Sequence, residues 1–211
     1  MSPLPTDHSD VPIRLFKSDF LEFFSHINPI VVVIIWLPVA LFFLIRSIVT
    51  ATGAGFAFYI PIGFIIGLFF WSLAEYLLHR FVFHMHVKGD RAERVLFLFH
   101  GVHHAQPQEK SRLVMPPVVS IPLGLLFYGL FHLLFVTLLK SPQWVGPVFS
   151  GFAVGYLIYD LTHYATHHFP MRSGYAKYIK RYHMQHHYKT PEKRFGVSSP
   201  VWDMVFNTKP E

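Results

Sequence analysis

Long apolar runs alternate with polar connections along this chain. The first run, INPIVVVIIWLPVALFFLI, extends from about Ile27 to Ile45, and the second from about Ala54 to Ala74 with Glu75 on its last turn. A third, Val118 to about Leu139, is interrupted only by His132; a fourth, from about Val145 to Tyr159, is shorter and ends at Asp160. A helix needs roughly 20 mostly apolar residues to cross a bilayer. The pattern therefore predicts an all-α integral membrane protein with about four transmembrane helices, at about 27–45, 54–78, 118–139 and 145–161. The fourth is short enough to be tilted or partly inserted, although Gly151 and Gly155 give it the small-xxx-small spacing of close helix packing. Prolines 29, 38, 61 and 122 fall inside or at the edges of these runs, where neighbouring helices re-satisfy the freed backbone groups.

The polar stretches complete this plan. Residues 1–26 form an N-terminal cytosolic or interfacial segment, 27–211 a single membrane domain, and 79–117 with 162–211 a cytosolic cap. Lys and Arg concentrate on the cytosolic side of membrane proteins. The leader, the 79–117 connection and the C-terminal stretch hold two, six and eight of them, and the other two connections hold only Arg46 and Lys140. Both termini are therefore expected in the cytosol, with the protein in the endoplasmic reticulum of a eukaryote or the inner membrane of a bacterium. The leader contains Asp7, Asp10, Asp19 and Glu22 and has no apolar core of a cleavable signal. Its Phe16, Phe20, Phe23 and Phe24 make a helical stripe, suited equally to an interfacial helix and to a plain linker before the membrane.

Composition narrows the chemistry. Only 14% of the residues are charged against 52% hydrophobic, far from the balance of a soluble domain. The net charge of +6 suits anionic lipid headgroups, and no nucleic-acid partner is expected. With no cysteine, zinc-thiolate sites, iron–sulfur clusters, disulfides and thiol nucleophiles are excluded, so any metal sits on nitrogen or oxygen.

Histidine supplies the nitrogen. The chain has fifteen, and eleven fall in four clusters at helix feet and in the cap: HRFVFH, HGVHH, HYATHH and HMQHH. Residues three and four apart share a helix face, so each HxxHH presents its rings in one direction, as do His163 and His167. His79 and His84, five apart, need a helix end or a bend between them. One HxxH is weak, but four clusters on one side of the membrane exceed the three or four ligands of one tetrahedral site and point to two metal ions. Converging imidazoles also need a cation to orient them.

The stretches EYLLHRFVFH, LFHGVHHAQPQEKSRLVMPP, GYLIYDLTHYATHH and HMQHHYKTPEKRFGVSSPVWDMVFNT together resemble the membrane fatty acid hydroxylase superfamily, and within it the fatty acid 2-hydroxylases. The resemblance runs from about Phe16 to Thr208. The histidine boxes and closing WDxxFGT belong to the wider superfamily; YDxTHYxxHH and RLVxPP point to 2-hydroxylation. It implies metal ligation by His79, His84, His100, His103, His104, His163, His167, His183, His186 and His187, with His168 matched but outside the set. It further implies a di-iron centre that uses O2 to hydroxylate the alpha carbon of a long acyl chain, free or in a ceramide. Zinc can occupy the same nitrogens in a purified protein. Met115 departs from the usual RLVFPP and Asn207 from FGT, and neither touches an implied ligand. Nothing in residues 1–26 could be the fused cytochrome b5 domain of fungal and animal relatives, so electrons are expected from a separate donor protein such as cytochrome b5. A sterol or sphingoid-base hydroxylase or desaturase of the same superfamily is the alternative within this metal chemistry. A membrane haem or metal-transport protein is the alternative outside it.

Metal-bound histidines commonly donate their other N–H to a carboxylate or carbonyl. Glu75, four residues before His79, and Asp160, three before His163, are the candidates for such a partner or for a structural polar role, while Asp203 is expected to hold the C-terminal segment in place. Arg112, Tyr164 and Tyr182 are candidates to meet a lipid headgroup. His8 and His26 are expected at the surface or interface, His86 away from the site, and His132 in a hydrogen bond between helices.

Overall fold

A computed structural model describes residues 6–7, 11–51 and 56–210, without the side chains of 56 and 57. His8 and the proposed start of the second span at Ala54 lie outside the described residues. In chain order the α-helices are α1 (Asp19–Phe23), α2 (Pro29–Val49), α3 (Phe56–Leu78), α4 (Asp90–Leu96), α5 (Val102–Ala105), α6 (Pro117–His132), α7 (Val145–His168), α8 (Gly174–Tyr188) and α9 (Val201–Val205). Five-residue π-helical turns follow α3 (His79–Phe83) and precede α5 (Phe97–Gly101), and α6 continues as a π-helix over Leu133–Leu138. No strand occurs among the described residues.

Two compact units result: one gathers the chain up to Pro29, Leu73–Val114 and the chain from Tyr159, and the other gathers Ile30–Ser72 and Met115–Ile158. Helices α3 and α7 contribute to both.

The second unit holds most of the apolar sequence. Helices α2, α3, α6 and α7 belong to four segments that are long and apolar enough to cross a membrane. On α2 the residues Ile30, Ile34, Leu37, Leu41, Ile45 and Ile48 recur at helical spacing and are exposed. Water would penalise such a stripe, whereas lipid is its natural solvent. Pro38 and Pro122 sit inside α2 and α6, and Pro61 lies in the first turns of α3.

Helix α7 departs most from the apolar pattern. It continues through Asp160 to His168, nine residues beyond Tyr159, as one unbroken 24-residue helix. Val148, Phe149, Phe152, Ala153 and Tyr156 are all buried, so within its unit α7 faces protein rather than lipid and can carry polar residues that a lipid-facing span could not. Its glycines permit this position. A Cβ on Gly151 would lie 2.0 Å from the Phe64 carbonyl oxygen, and one on Gly67 would lie 2.1 Å from that of Val148. Backbone meets backbone at this crossing of α3 and α7. Gly151→Ala is therefore expected to cost about 1–3 kcal/mol through forced separation. Gly129→Ala, where an added Cβ meets nothing within 4 Å, is expected to leave stability unchanged or slightly raised. Thermal unfolding of the two variants in detergent checks the contrast.

In the first unit the N-terminal segment is tied down rather than extended as a helix. Helix α1 covers only Asp19–Phe23, so Phe16 lies outside it, while Phe20, Phe23 and Phe24 are exposed. The Glu22 carboxylate accepts hydrogen bonds from the Leu15 (2.9 Å) and Phe16 (2.8 Å) N–H groups, which fixes the preceding chain in a non-helical path. Glu22 also pairs with Arg112, whose guanidinium donates to the Ile13 carbonyl. Arg112 is thus buried in an internal tie and is unavailable to a headgroup; Tyr182 is buried too. His26 meets Ser111 Oγ at 2.6 Å, and Gln106 accepts from Ile13 N–H at 2.8 Å and donates to Asp7 at 2.9 Å.

Candidate metal centre

The ten histidines come together in the first unit, and local helix geometry decides how. Across the π-turn after α3, the His84 N–H bonds to the His79 carbonyl at 3.1 Å, an i→i+5 bond. The wider turn brings residues five apart onto one face, and the two rings lie 4.9 Å apart. This turn is the bend that the HxxxxH spacing requires.

The HxxHH boxes do something different from presenting three rings in one direction. On an α-helix, positions i+3 and i+4 diverge by roughly 100° about the axis while i and i+4 stay close. Accordingly His100 and His104 join one group, as do His183 and His187 in the other, while the middle members His103 and His186 cross over. The result is two groups of five: His79, His84, His100, His104 and His186, and His103, His163, His167, His183 and His187. Within each group one ring nitrogen per residue lies within 4.8 Å of all the others.

Those inward nitrogens are Nε2. In the first group the pairs His79–His100, His104–His100 and His186–His84 have Nε2 atoms 3.1, 3.0 and 3.1 Å apart. In the second, His163–His103, His167–His183, His103–His187 and His187–His183 are 2.9, 2.9, 3.0 and 3.0 Å apart. Across the groups the His104 and His187 rings stack at 4.1 Å. Burial, with neighbouring imidazoles adding to it, holds His100, His103, His183, His186 and His187 well below the ordinary imidazole range, and His104 at about 3. Neutral rings with converging lone pairs are the state that metal ligation requires, and each group could hold a metal ion.

The outward Nδ1 atoms show what sequence reasoning missed. His79 Nδ1 meets the Phe195 carbonyl at 2.5 Å, and His186 Nδ1 the Lys193 carbonyl at 2.7 Å. Glu75 reaches His79 only through this loop: Oε1 accepts from the Val197 and Ser198 N–H groups, both at 2.8 Å, and Oε2 from the Ser198 hydroxyl. Asp203 holds the same loop through Phe195 N–H (2.8 Å) and Gly196 N–H (2.7 Å). Asp160 is fully buried, and because His163 Nδ1 has no hydrogen-bond partner among the described residues, Asp160 does not bond that ring directly. Main-chain carbonyls carry no residue signature; the only sequence signal for them was the pair of acids that fix their loop.

The remaining histidines lie elsewhere. His86 is exposed and 3.4 Å from Glu192. His132 is exposed at the end of α6 beside Tyr128 rather than bonded between helices. His168 lies against Tyr164, outside both groups.

This all-helical arrangement of paired histidine groups and membrane-length helices is that of a membrane hydroxylase. The chain belongs to the fatty acid hydroxylase family, whose model matches residues 64–208. It is 36% identical over 197 residues to a dihydroceramide fatty acyl 2-hydroxylase of Arabidopsis thaliana, covering 93% of this chain and 80% of that relative. It is 38% identical over 216 residues to the fatty acid 2-hydroxylase of Homo sapiens, covering 93% and 56% respectively. The visible hydroxylase domain of full-length scs7p superposes with a TM-score of 0.83 at 35% identity, over 92% of this chain and 70% of that one. The family is metal-dependent, and the protein is an oxidoreductase. These matches give no support to a sterol or sphingoid-base enzyme, or to a haem or transport protein.

Proposed function

We propose that this protein is a fatty acyl 2-hydroxylase that binds two iron ions, one in each histidine group, and inserts one atom of O2 at the alpha carbon of a long acyl chain, free or within a ceramide. The convergence of ten imidazole Nε2 atoms, seven of them on buried residues, into two groups of five carries the metal assignment. The names of the relatives at 35–38% identity support position 2 and the acyl substrate. In balance, R–CH2–COX + O2 + 2 e− + 2 H+ gives R–CHOH–COX + H2O. One oxygen atom enters the C–H bond and the other leaves as water, with both electrons from a separate one-electron carrier such as cytochrome b5.

Bound iron supplies the O2 activation that side-chain acid–base chemistry cannot. The chain supplies the rest. The Nε2 atoms fix two positions, the Phe195 and Lys193 carbonyls set the tautomers of His79 and His186, and burial keeps the imidazoles neutral and excludes bulk water. The basic residues of the leader, the 79–117 connection and the C-terminal stretch support a cytosolic cap and cytosolic termini.

Expression in a host lacking its own 2-hydroxylase, with an electron donor supplied, is expected to produce 2-hydroxy acyl lipids by mass spectrometry. Hydroxylation at another carbon, or none despite a working donor, overturns this reading.

A further inference from the structure

Because every Nε2 faces inward, each ring presents Nδ1 outward, and the two groups treat that atom differently. In the first group His79 and His186 donate to the Phe195 and Lys193 carbonyls, and no Nδ1 is buried without a partner among the described residues. Both carbonyls lie on one stretch of chain. Asp203 and Glu75 fasten it by four main-chain N–H groups, from Phe195 to Ser198, and the Arg194 N–H adds a bond to the Thr208 carbonyl at 3.1 Å. The second group lacks such an acceptor at four of its five rings among the described residues. The Nδ1 atoms of His103, His163, His183 and His187 are buried with no hydrogen-bond partner among the described residues.

An acceptor at Nδ1 fixes the tautomer that leaves Nε2 free to ligate, orients the ring and raises its basicity; losing one typically costs about 10–100-fold in metal affinity. We infer that the two groups are unequal metal sites. The first, His79, His84, His100, His104 and His186, binds its ion more tightly, and the 193–198 loop pinned by Asp203 and Glu75 is the device that makes it so. This rests on the proposal that both groups bind metal.

The test is an equilibrium zinc titration of the detergent-solubilised full chain against chelator-buffered free Zn2+, with bound zinc counted per chain. Two binding steps are expected, at least about 10-fold apart in free zinc. His84→Ala, in the first group, removes the tighter step, and His167→Ala, in the second, removes the looser one; both residues are only partly buried, which favours a folded variant. Asp203→Asn weakens the tighter step and leaves the looser one in place. A single step for both ions, or the opposite assignment by the two variants, overturns the inference while leaving the metal reading intact. A chain that binds no zinc at any free concentration overturns both.

Discussion

His186→Gln is expected to abolish 2-hydroxylation, with product falling at least about 100-fold, and to lower the metal content of the purified protein by at least one ion per chain. His186 is fully buried on α8, between a carbonyl and a group of imidazoles: Nδ1 donates to Lys193 at 2.7 Å and Nε2 lies 3.1 Å from His84 Nε2. It is also one of the two histidines that leave their own box to complete the other group, so its loss affects both the first group and the link between α8 and the π-turn after α3. Gln is a sharper test than Ala. Ala leaves a void that costs about 2–5 kcal/mol, whereas Gln nearly fills the volume, and its amide is a poor substitute for an imidazole nitrogen. A His186→Gln protein that unfolds at the wild-type temperature without zinc, yet carries less metal and forms no product, separates ligation from packing. His132→Ala, at an exposed position on α6, is the matched control and is expected to retain full product. Full activity in His186→Gln would remove this residue from the centre. Metal per chain by plasma emission and 2-hydroxy lipid by mass spectrometry are the two readouts.

The membrane helices and the identity of the clustered histidines were legible because both are written in side chains. Twenty-residue apolar runs have one economical structure in lipid, and the HxxHH spacing survives in the fold as i, i+4 pairs. The division of labour within each box was not legible. Assigning His103 and His186 to the opposite groups requires knowing that helix faces 100° apart each meet a separate set of partners, which is tertiary information. The five-residue spacing of His79 and His84 signalled an irregularity, and the π-turn supplies it, but a sequence cannot distinguish that turn from a helix end. The continuation of α7 to His168 was masked by Asp160 and the histidines, which read as the end of an apolar run. They are tolerated because this helix is buried in protein. Arg112 read as a headgroup contact because its partners, Glu22 and the Ile13 carbonyl, lie 90 and 99 residues away along the chain.

Asp203→Asn is expected to damage the protein more than Glu75→Gln, although Glu75 is the acid that stands beside a histidine in sequence. Asp203 is fully buried, and each of its oxygens faces a main-chain N–H: Oδ1 accepts from Phe195 at 2.8 Å and also from the Thr208 hydroxyl at 2.7 Å, and Oδ2 accepts from Gly196 at 2.7 Å. A carboxamide has only one acceptor oxygen. Whichever way Asn turns, its NH2 confronts an N–H, so one bond is lost and two donors are left facing each other, at a cost of about 2–4 kcal/mol. The loop has little room to adjust, since a Cβ on Gly196 would already lie 2.0 Å from the Ser199 carbonyl oxygen. Glu75 differs at one atom. Its Oε1 takes both N–H groups, but Oε2 faces only the Ser198 hydroxyl, which can rotate to accept from a Gln NH2. Glu75→Gln therefore keeps every contact in number and exchanges charge-assisted bonds for neutral ones, at about 0.5–1.5 kcal/mol. Thermal unfolding in detergent at neutral pH is expected to rank wild type above Glu75→Gln and Glu75→Gln above Asp203→Asn. Zinc is expected to raise the midpoint of Asp203→Asn least, because the loosened loop no longer presents the Phe195 carbonyl to His79. The reverse order would mean that the histidine-proximal acid, rather than the loop anchor, holds this end of the site.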